Sequence, residues 1–341
     1  MKTNRAKSIS AAAAIVALGV LVAGLAAYGV GRANQRSAAG RSADPTRAGA
    51  PAGVHLERRI TDFTAGFDEH TGYRMPRRSE RLAVADAVGL VLDGHPDRAA
   101  SALSGIDFQL RTITDSTTGR RYAELSDRTE QNPTPRGWGR VYVDLSSPVR
   151  WSVQVPHPVA DTDTERLGAR VLLGSPGGVL VLAGAHRRAG VGDTADMAHR
   201  RDSVFDAVCD ELAARGLPGI QLHGFADDSA PGYDVIASTG TGQSGRTDGR
   251  RLADALRMRN FEVCRAWARS CAALEGHENV QGREAAAEHV PFLHIEFAHS
   301  VRTDDRRLSD AAAAIHSVIT RWAAGGGHRA PGRSSRAPLT P

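Results

Sequence analysis

From Arg150 onward the chain alternates short apolar runs with amphipathic ones, and this alternation limits its fold more than any other feature. "RWSVQVP" (150–156), "GGVLVLAG" (177–184), "PGIQLHGF" (218–225), "YDVIAST" (233–239), "NFEVCRA" (260–266) and "VPFLHIEFA" (290–298) read as strands. Between them lie helical patterns: "TERLGARVLLG" (164–174), a long one over 197–216 ended by Gly216, and "DGRRLADALRMR" (248–259). "LSDAAAAIHSVITRWAA" (308–324) is the last helix. Strands that take turns with helices imply an α/β fold, a mainly parallel mixed sheet with helices on both faces. In such sheets ligands bind at the carboxyl ends of the strands.

The rest of the chain divides around that unit. "MKTNRAK" followed by an uncharged run from Ser8 to Gly31 reads as a signal anchor or a signal peptide over 1–31. Lys2, Arg5 and Lys7 would hold the N-terminus inside, leaving the remainder extracytoplasmic, on the cell membrane or secreted. Residues 32–54 read as a flexible linker and 325–341 as a disordered tail. Residues 55–149 read as a small α+β segment: a helix in "RRSERLAVADAVGLVLDG", two strands around the turn Thr117–Gly119, and a strand in "GWGRVYVDL". No chemistry is legible in it. The main α/β domain is expected over 150–324.

The net charge of +5 does not point to nucleic acid, because the first 52 residues carry +6 and the last 17 carry +3, leaving −4 on residues 53–324. Of three cysteines, Cys209 reads as a buried small hydrophobe. The spacing of Cys264 and Cys271 does not establish a bridge, and the reading leans against one.

Polar residues gather where the strands end. His157 follows the first strand of the alternating region and His186 follows the second; His223 ends the third, and Glu296 lies in the last with His294 two residues before it. Asp161, Asp163 and Glu165 come directly after His157. A catalytic zinc takes three His and Asp/Glu ligands and leaves a position open for water, whose pKa it lowers. His157 and His223 would supply two nitrogens, Asp161 or Glu165 the oxygen, and Glu296 the general base or acid. Asp163 reads equally as a helix cap. His186, Arg187, His199, Arg200 and His294 are weaker candidates for substrate contacts, with Arg188 and Arg201 nearby. His199 and Arg200 would stand at the start of the long helix, where they could bind an anion or merely cap it. "GTGQSG" lacks the strand, lysine and helix of a phosphate loop, and no G-x-S-x-G nucleophile elbow is present.

The motifs "VPHPVADTDTE", "IQLHGF" and "FLHIEF" resemble the zinc carboxypeptidase-like superfamily in its broad sense, especially its poly-γ-glutamate hydrolase and N-formylglutamate amidohydrolase types. The resemblance covers roughly 150–320. It implies a zinc ion held by His157, an acid a few residues on and His223, with Glu296 catalytic. Carboxypeptidases proper carry H-x-x-E, whereas position 160 here is Ala, so the resemblance favours Asp161 and leaves Glu165 beside it. The activity implied is hydrolysis of a peptide, γ-glutamyl or N-acyl amide bond. The contrasting expectation is a cell-envelope binding protein that keeps the fold without catalysis.

Overall fold

The computed structural model describes residues 53–132 and 135–324. The expected signal segment, all but the end of the linker, and the C-terminal tail lie outside the described residues. No helix among the described residues is long and apolar enough to cross a membrane.

Nine strands form one sheet: β1 (Phe108–Thr114), β2 (Arg121–Asp127), β3 (Arg140–Asp144), β4 (Trp151–Val155), β5 (Gly178–Leu182), β6 (Gly219–Phe225), β7 (Val235–Ser238), β8 (Val263–Arg265) and β9 (Phe292–Ala298). Their order across the sheet is β1-β2-β3-β5-β4-β6-β9-β7-β8. The centre, β5-β4-β6-β9, is parallel throughout, and β3 and β7 flank it antiparallel. Residues before 150 therefore continue the same sheet, their hairpin strands joined to the parallel centre through β3. Asp115, fully buried, fixes that hairpin: its Oδ2 accepts from Thr117 N and Thr118 N, and its Oδ1 from Leu56 N. One carboxylate thus ties the β1–β2 turn to the start of a helix fifty-odd residues away.

The helices are α1 (Leu56–Thr64), α2 (Arg78–Leu92), α3 (Pro96–Ser104), α4 (Thr164–Gly174), α5 (Val204–Ala214), α6 (Arg246–Arg257), α7 (Val280–Ala287), α8 (His299–Thr303) and α9 (Asp305–Ala324). One face of the sheet gives Val153, Val155, Ile220, Leu222, Leu293 and Ile295 to a core shared with α4, α6 and α9. The other gives Val179, Val181, Val141 and Val143 to a core shared with α2, α3 and α5. Side chains alternate across a strand, so the residues between the first set, Gln154, Gln221, His223, His294 and Glu296, share the second face. There the sheet changes from apolar under α5 to polar over β4, β6 and β9.

Three expectations are corrected. The helix over 197–216 begins only at Val204, because Ser203 Oγ accepts from Asp206 N at 3.0 Å and caps it there. The polar stretch "LEGHENVQGREAAAEH" (274–289), whose sequence reads as a loop that lines the pocket or only connects to the last strand, contains α7, started by Asn279 Oδ1 accepting from Gly282 N at 2.9 Å. Cys264 and Cys271 form a disulfide, with Cα atoms 6.0 Å apart. Their proximity comes from the turn after β8, which residue spacing does not encode. Cys209 is buried and unbridged, as its helical pattern suggests.

The junction of β3 with β5 depends on a close approach of backbones. Gly139 has φ +90°, and a Cβ on it would lie 2.1 Å from Leu182 O. Gly139→Ala combines a disfavoured backbone region with a clash against a carbonyl that cannot move without opening the sheet. It is expected to lower unfolding stability by roughly 2–4 kcal/mol, read as a shifted urea midpoint at unchanged slope; an unshifted midpoint would mean that the junction is not constrained.

Candidate metal centre

The turn after β4 brings His157 and Asp161 together. Asp161 N donates to His157 O at 2.9 Å, and between them Val159 adopts φ +67°, a region that a β-branched residue rarely enters. Two groups hold this strained turn. Glu165, in the first turn of α4, accepts from Val159 N at 3.2 Å. Arg302 donates to Thr162 O, to Phe297 O at 3.0 Å and to Phe225 O at 3.2 Å, pinning the turn to the ends of β9 and β6. Asp163 sits just before α4 at φ +64°, but its side chain makes no capping bond.

Asp161 Oδ2 then lies 3.2 Å from His157 Nδ1 and 3.5 Å from His223 Nδ1, and Gly224 N donates to it at 3.2 Å. His157 and His223 are 1% and 4% exposed. One nitrogen from each ring and one oxygen of Asp161 all fall within 4.8 Å of one another. Glu165 stands outside this group.

Which ring atoms carry protons follows from a chain of amides that begins at a carbonyl. Met197 O can only accept, so Gln281 presents its Nε2 there, at 2.9 Å, and to Asp206 Oδ1 at 2.7 Å. Gln281 Oε1 therefore accepts from Gln221 Nε2 at 3.1 Å, and Gln221 Nε2 also donates to Gln154 Oε1 at 3.0 Å. That leaves Gln221 Oε1 facing Asn279 Nδ2 and His223 Nε2, the latter at 2.7 Å. His223 must donate from Nε2, so its Nδ1 carries a lone pair. On the other side both His157 nitrogens meet carboxylates, Nε2 with Asp196 Oδ1 at 2.7 Å and Nδ1 with Asp161 Oδ2, so a neutral ring protonated on Nε2 turns its Nδ1 lone pair toward Asp161. Three lone-pair atoms face one another in a buried place. Such an arrangement is repulsive until a proton or a cation enters it.

The electrostatics set the two rings apart. Burial, reinforced by the neighbouring His294, pushes the His223 pKa down to about 4, so the ring is neutral at pH 7. Burial also disfavours charge on His157, yet Asp161 and Asp196 outweigh it and raise its pKa. Burial alone would raise the pKa of the Asp161 carboxyl, but His157 and His223 hold it far below the usual range. Glu165 moves the opposite way, upward, because burial dominates there.

Glu296 pairs in register with His223 on the adjacent strand, as His294 does with Gln221. Glu296 Oε1 lies 3.3 Å from His294 Nε2, and the His294 ring centroid is 4.4 Å from that of His223. His294 Nδ1 is buried without a hydrogen-bond partner. Of the weaker candidates, Arg187 reaches the group: one guanidinium nitrogen is 3.4 Å from His157 Nδ1 and another pairs with Asp196. His199 Nδ1 lies 3.1 Å from Asp196 Oδ1. His186 stays at the surface turn and accepts from Arg188 N at 3.3 Å. Arg200 is engaged by Asp202 at 2.7 Å, Arg188 by Glu69, and Arg201 by Glu284 at 3.4 Å. Neither His199 nor Arg200 stands at the start of a helix, since α5 begins after them. Asp196, Gln221 and Arg302 are the residues that sequence reasoning passes over, whereas Gln281 falls in the polar stretch that reads as lining the pocket or only connecting. The one signal available for the glutamines was their strand and helix positions, which place polar groups where apolar ones are usual.

The amide chain ends at a buried acidic pair on α5. Burial pushes Asp206 up to about 6 and Asp210 up to about 7, with Glu284 adding to both and Arg201 opposing. Both carboxyls bind protons more tightly folded than unfolded, where about 3.9 is usual. Their contribution to stability is therefore complete below about pH 4 and is lost as pH rises through 6 to 7. Asp210→Asn, which stays neutral, is expected to raise the melting temperature by roughly 3–8 °C at pH 8 and to change it little at pH 4. Equal shifts at both pH values would remove the charge explanation.

No protein-family model matches the chain, and no curated protein matches it in sequence. Among solved structures the chain is similar to an N-formylglutamate amidohydrolase from Ralstonia eutropha JMP134, at 13% identity over 52% of this chain and 93% of that one, with a TM-score of 0.35. It is similar to a metallo-carboxypeptidase from Pseudomonas aeruginosa in complex with (2-guanidinoethylmercapto)succinic acid, at 15% identity over 67% and 69%, TM-score 0.36. It is also similar to a succinylglutamate desuccinylase from Chromobacterium violaceum, at 15% identity over 52% and 69%, TM-score 0.34. The chemistry of the site rests on the side chains described above.

Proposed function

We propose that the chain is a zinc-dependent hydrolase of an amide bond, acting outside the cytoplasm on a peptide, γ-glutamyl or N-acyl amino-acid substrate. The observation that carries this reading is the convergence of three lone-pair atoms, His157 Nδ1, Asp161 Oδ2 and His223 Nδ1, with a carboxylate on the neighbouring strand. Two imidazole nitrogens and one carboxylate oxygen suit zinc and leave room for a further ligand. His157, Asp161 and His223 would hold the ion, with Asp196 and Gln221 orienting the two rings. Zinc bound in such a site acidifies water and polarises a carbonyl.

The chain's own residues supply the remaining steps. Glu296 takes a proton from the attacking water and returns it to the leaving amine. His294, against Oε1 of Glu296, holds that carboxylate in place. The Arg187 guanidinium brings positive charge beside the ligand set, where a carbonyl oxygen gaining negative charge is stabilised. Glu165 keeps the Val159 turn closed and is a support for Asp161 rather than a ligand.

Residues 1–31 would anchor or export the protein, and the Cys264–Cys271 bridge suits an oxidising compartment. A membrane contact through that segment and a small substrate at the strand ends are the partners expected, without nucleic acid. Intact protein in the cytosolic fraction would overturn the export reading.

The full-length protein is expected to bind about one zinc per chain, measured by metal analysis after dialysis. His157→Ala, His223→Ala and Asp161→Ala should each release it. Glu165→Gln should retain it, because the amide oxygen still accepts from Val159 N. Full zinc occupancy in both histidine variants would refute the ligand set. Glu296→Gln is expected to fold and keep zinc while hydrolysis falls by roughly 10²–10⁴-fold. A variant with native turnover would refute the role of Glu296. Native protein that binds zinc and cleaves no peptide, γ-glutamyl or N-acyl substrate would favour the binding-protein alternative.

A further inference from the structure

A second feature of the same rim lies one strand from His157. Ala183 N donates to Val155 O at 3.0 Å, so β4 and β5 deliver their chains side by side. His157 and Ala185 each follow two residues later, a stretch that spans at most about 7 Å. Beside Ala185 is a cavity of about 280 Å³, lined by Phe63, Gly66, Phe67, Trp138, Gly184 and the 68–72 segment. Arg187, two residues beyond Ala185, already touches His157. The cavity and the metal centre therefore lie at the carboxyl ends of two neighbouring strands, β5 and β4.

The cavity is built, not left over. Its wall is the junction of β3 and β5, where Gly139 and Gly184 lie backbone against backbone. Trp138 Nε1 donates to Arg74 O at 2.7 Å, which locks the ring in the wall. The ion pair of Glu69 with Arg188 fastens the 66–73 segment to the turn that follows β5. Residues 55–149, otherwise without chemistry, supply most of this lining.

Two of the three carboxylates on its walls are matched by arginines, and the third is held by hydrogen bonds. Asp127 is held by Arg136 at 2.6 and 2.9 Å, and Glu130 by Arg140 at 2.7 and 2.9 Å. Asp68 accepts from His70 N at 2.8 Å and Thr71 N at 2.9 Å. Arg136 lies 3.9 Å over the Trp138 ring and Arg140 3.9 Å over that of Phe63. An anionic group would meet three carboxylates, and a cationic one would compete with arginines that already occupy the ring faces. A neutral apolar group displaces water from the aromatic walls and disturbs no pair. The volume falls just below the usual range of about 300–1,000 Å³ for whole-ligand pockets, which fits a single side chain.

We infer that this cavity is the specificity pocket of the enzyme and takes a neutral apolar or aromatic side chain next to the scissile amide. This rests on the hydrolase reading and narrows it, away from anionic γ-glutamyl groups. Gly66 offers the test: it lines the cavity, lies outside the left-handed region, and a Cβ on it meets nothing within 4 Å. Gly66→Phe would place a bulky ring at the margin of the cavity, where nothing in the protein opposes its Cβ.

Binding is measured first on the zinc-free, full-length protein by calorimetry, using N-acetylphenylalanine amide, N-acetylglycine amide and N-acetylglutamate amide as probes. Native protein is expected to favour the phenylalanine probe over both others by about 10–200-fold, the range for apolar discrimination. Gly66→Phe should reduce that preference to near one, while Gly66→Ala retains it. Native protein without the preference, or Gly66→Phe with it intact, overturns the pocket. With zinc present, the ratio of kcat/KM for phenylalanine-bearing over glycine-bearing substrates should fall in Gly66→Phe in parallel. If probe binding behaves as expected and no substrate is cleaved, the hydrolase reading fails and the pocket stands. If cleavage occurs with no side-chain preference, the pocket fails and the hydrolase reading stands.

Discussion

A single backbone carbonyl, Met197 O, sets the direction of the hydrogen bonds that reach the candidate metal centre. An amide side chain can be turned end for end at little cost when its neighbours are also amides, so Gln154, Gln221 and Gln281 alone would not specify which nitrogen of His223 is protonated. Anchored at an acceptor that cannot donate, the chain has one orientation: Gln281 donates to Met197 O, accepts from Gln221, and Gln221 accepts from His223. The same loop carries Asp196, one residue earlier, which orients His157. Both rings are therefore aimed from one segment, the stretch between β5 and α5. Burying so many polar groups is costly unless each is paired. Here the sheet register pairs them, since Gln154, Gln221 and His294 stand side by side on three strands.

The parts of this arrangement that were legible in the sequence are those set by local patterning. The six strands after 150, and α4 with its bounds at Thr164 and Gly174, follow from apolar runs and periodicity. His157, His223 and Glu296 were legible because polar residues at the ends of apolar strands need a reason. Asp196 was not, because it lies in a stretch without periodicity, and only the fold brings it across 39 residues to His157. The glutamines were hidden for a different reason: single polar residues in a strand look like solvent-facing ones until a neighbouring strand covers them. Val159 sets Asp161 and Glu165 apart in space. A valine at positive φ is not foreseeable from its identity, yet that conformation turns Asp161 back onto the imidazoles and leaves Glu165 beneath the turn. Capping chemistry explains both misplaced helix boundaries, since Ser203 and Asn279 each act on one bond that outweighs the surrounding pattern.

Strand order has a consequence for how the chain reaches this state. β3 precedes β4 in sequence but pairs with β5, and β9, late in the chain, is inserted between β6 and β7. Residues 108–182 supply one half of the sheet, β1 to β5, and residues 219–298 the other, β6 to β9, but within each half the strands do not all pair in chain order. Pairings of such long sequence separation require loop closure before they return any energy, which slows folding. Until β3 docks, β5 exposes a row of unpaired backbone groups on a flat run of Gly178, Val179, Leu180, Val181 and Leu182. An edge of that composition is a template for pairing with another copy. The hairpin strands β1 to β3 therefore cover an edge of β5 that would otherwise be open to self-association, and removing them would leave a sheet prone to pair with its own copies.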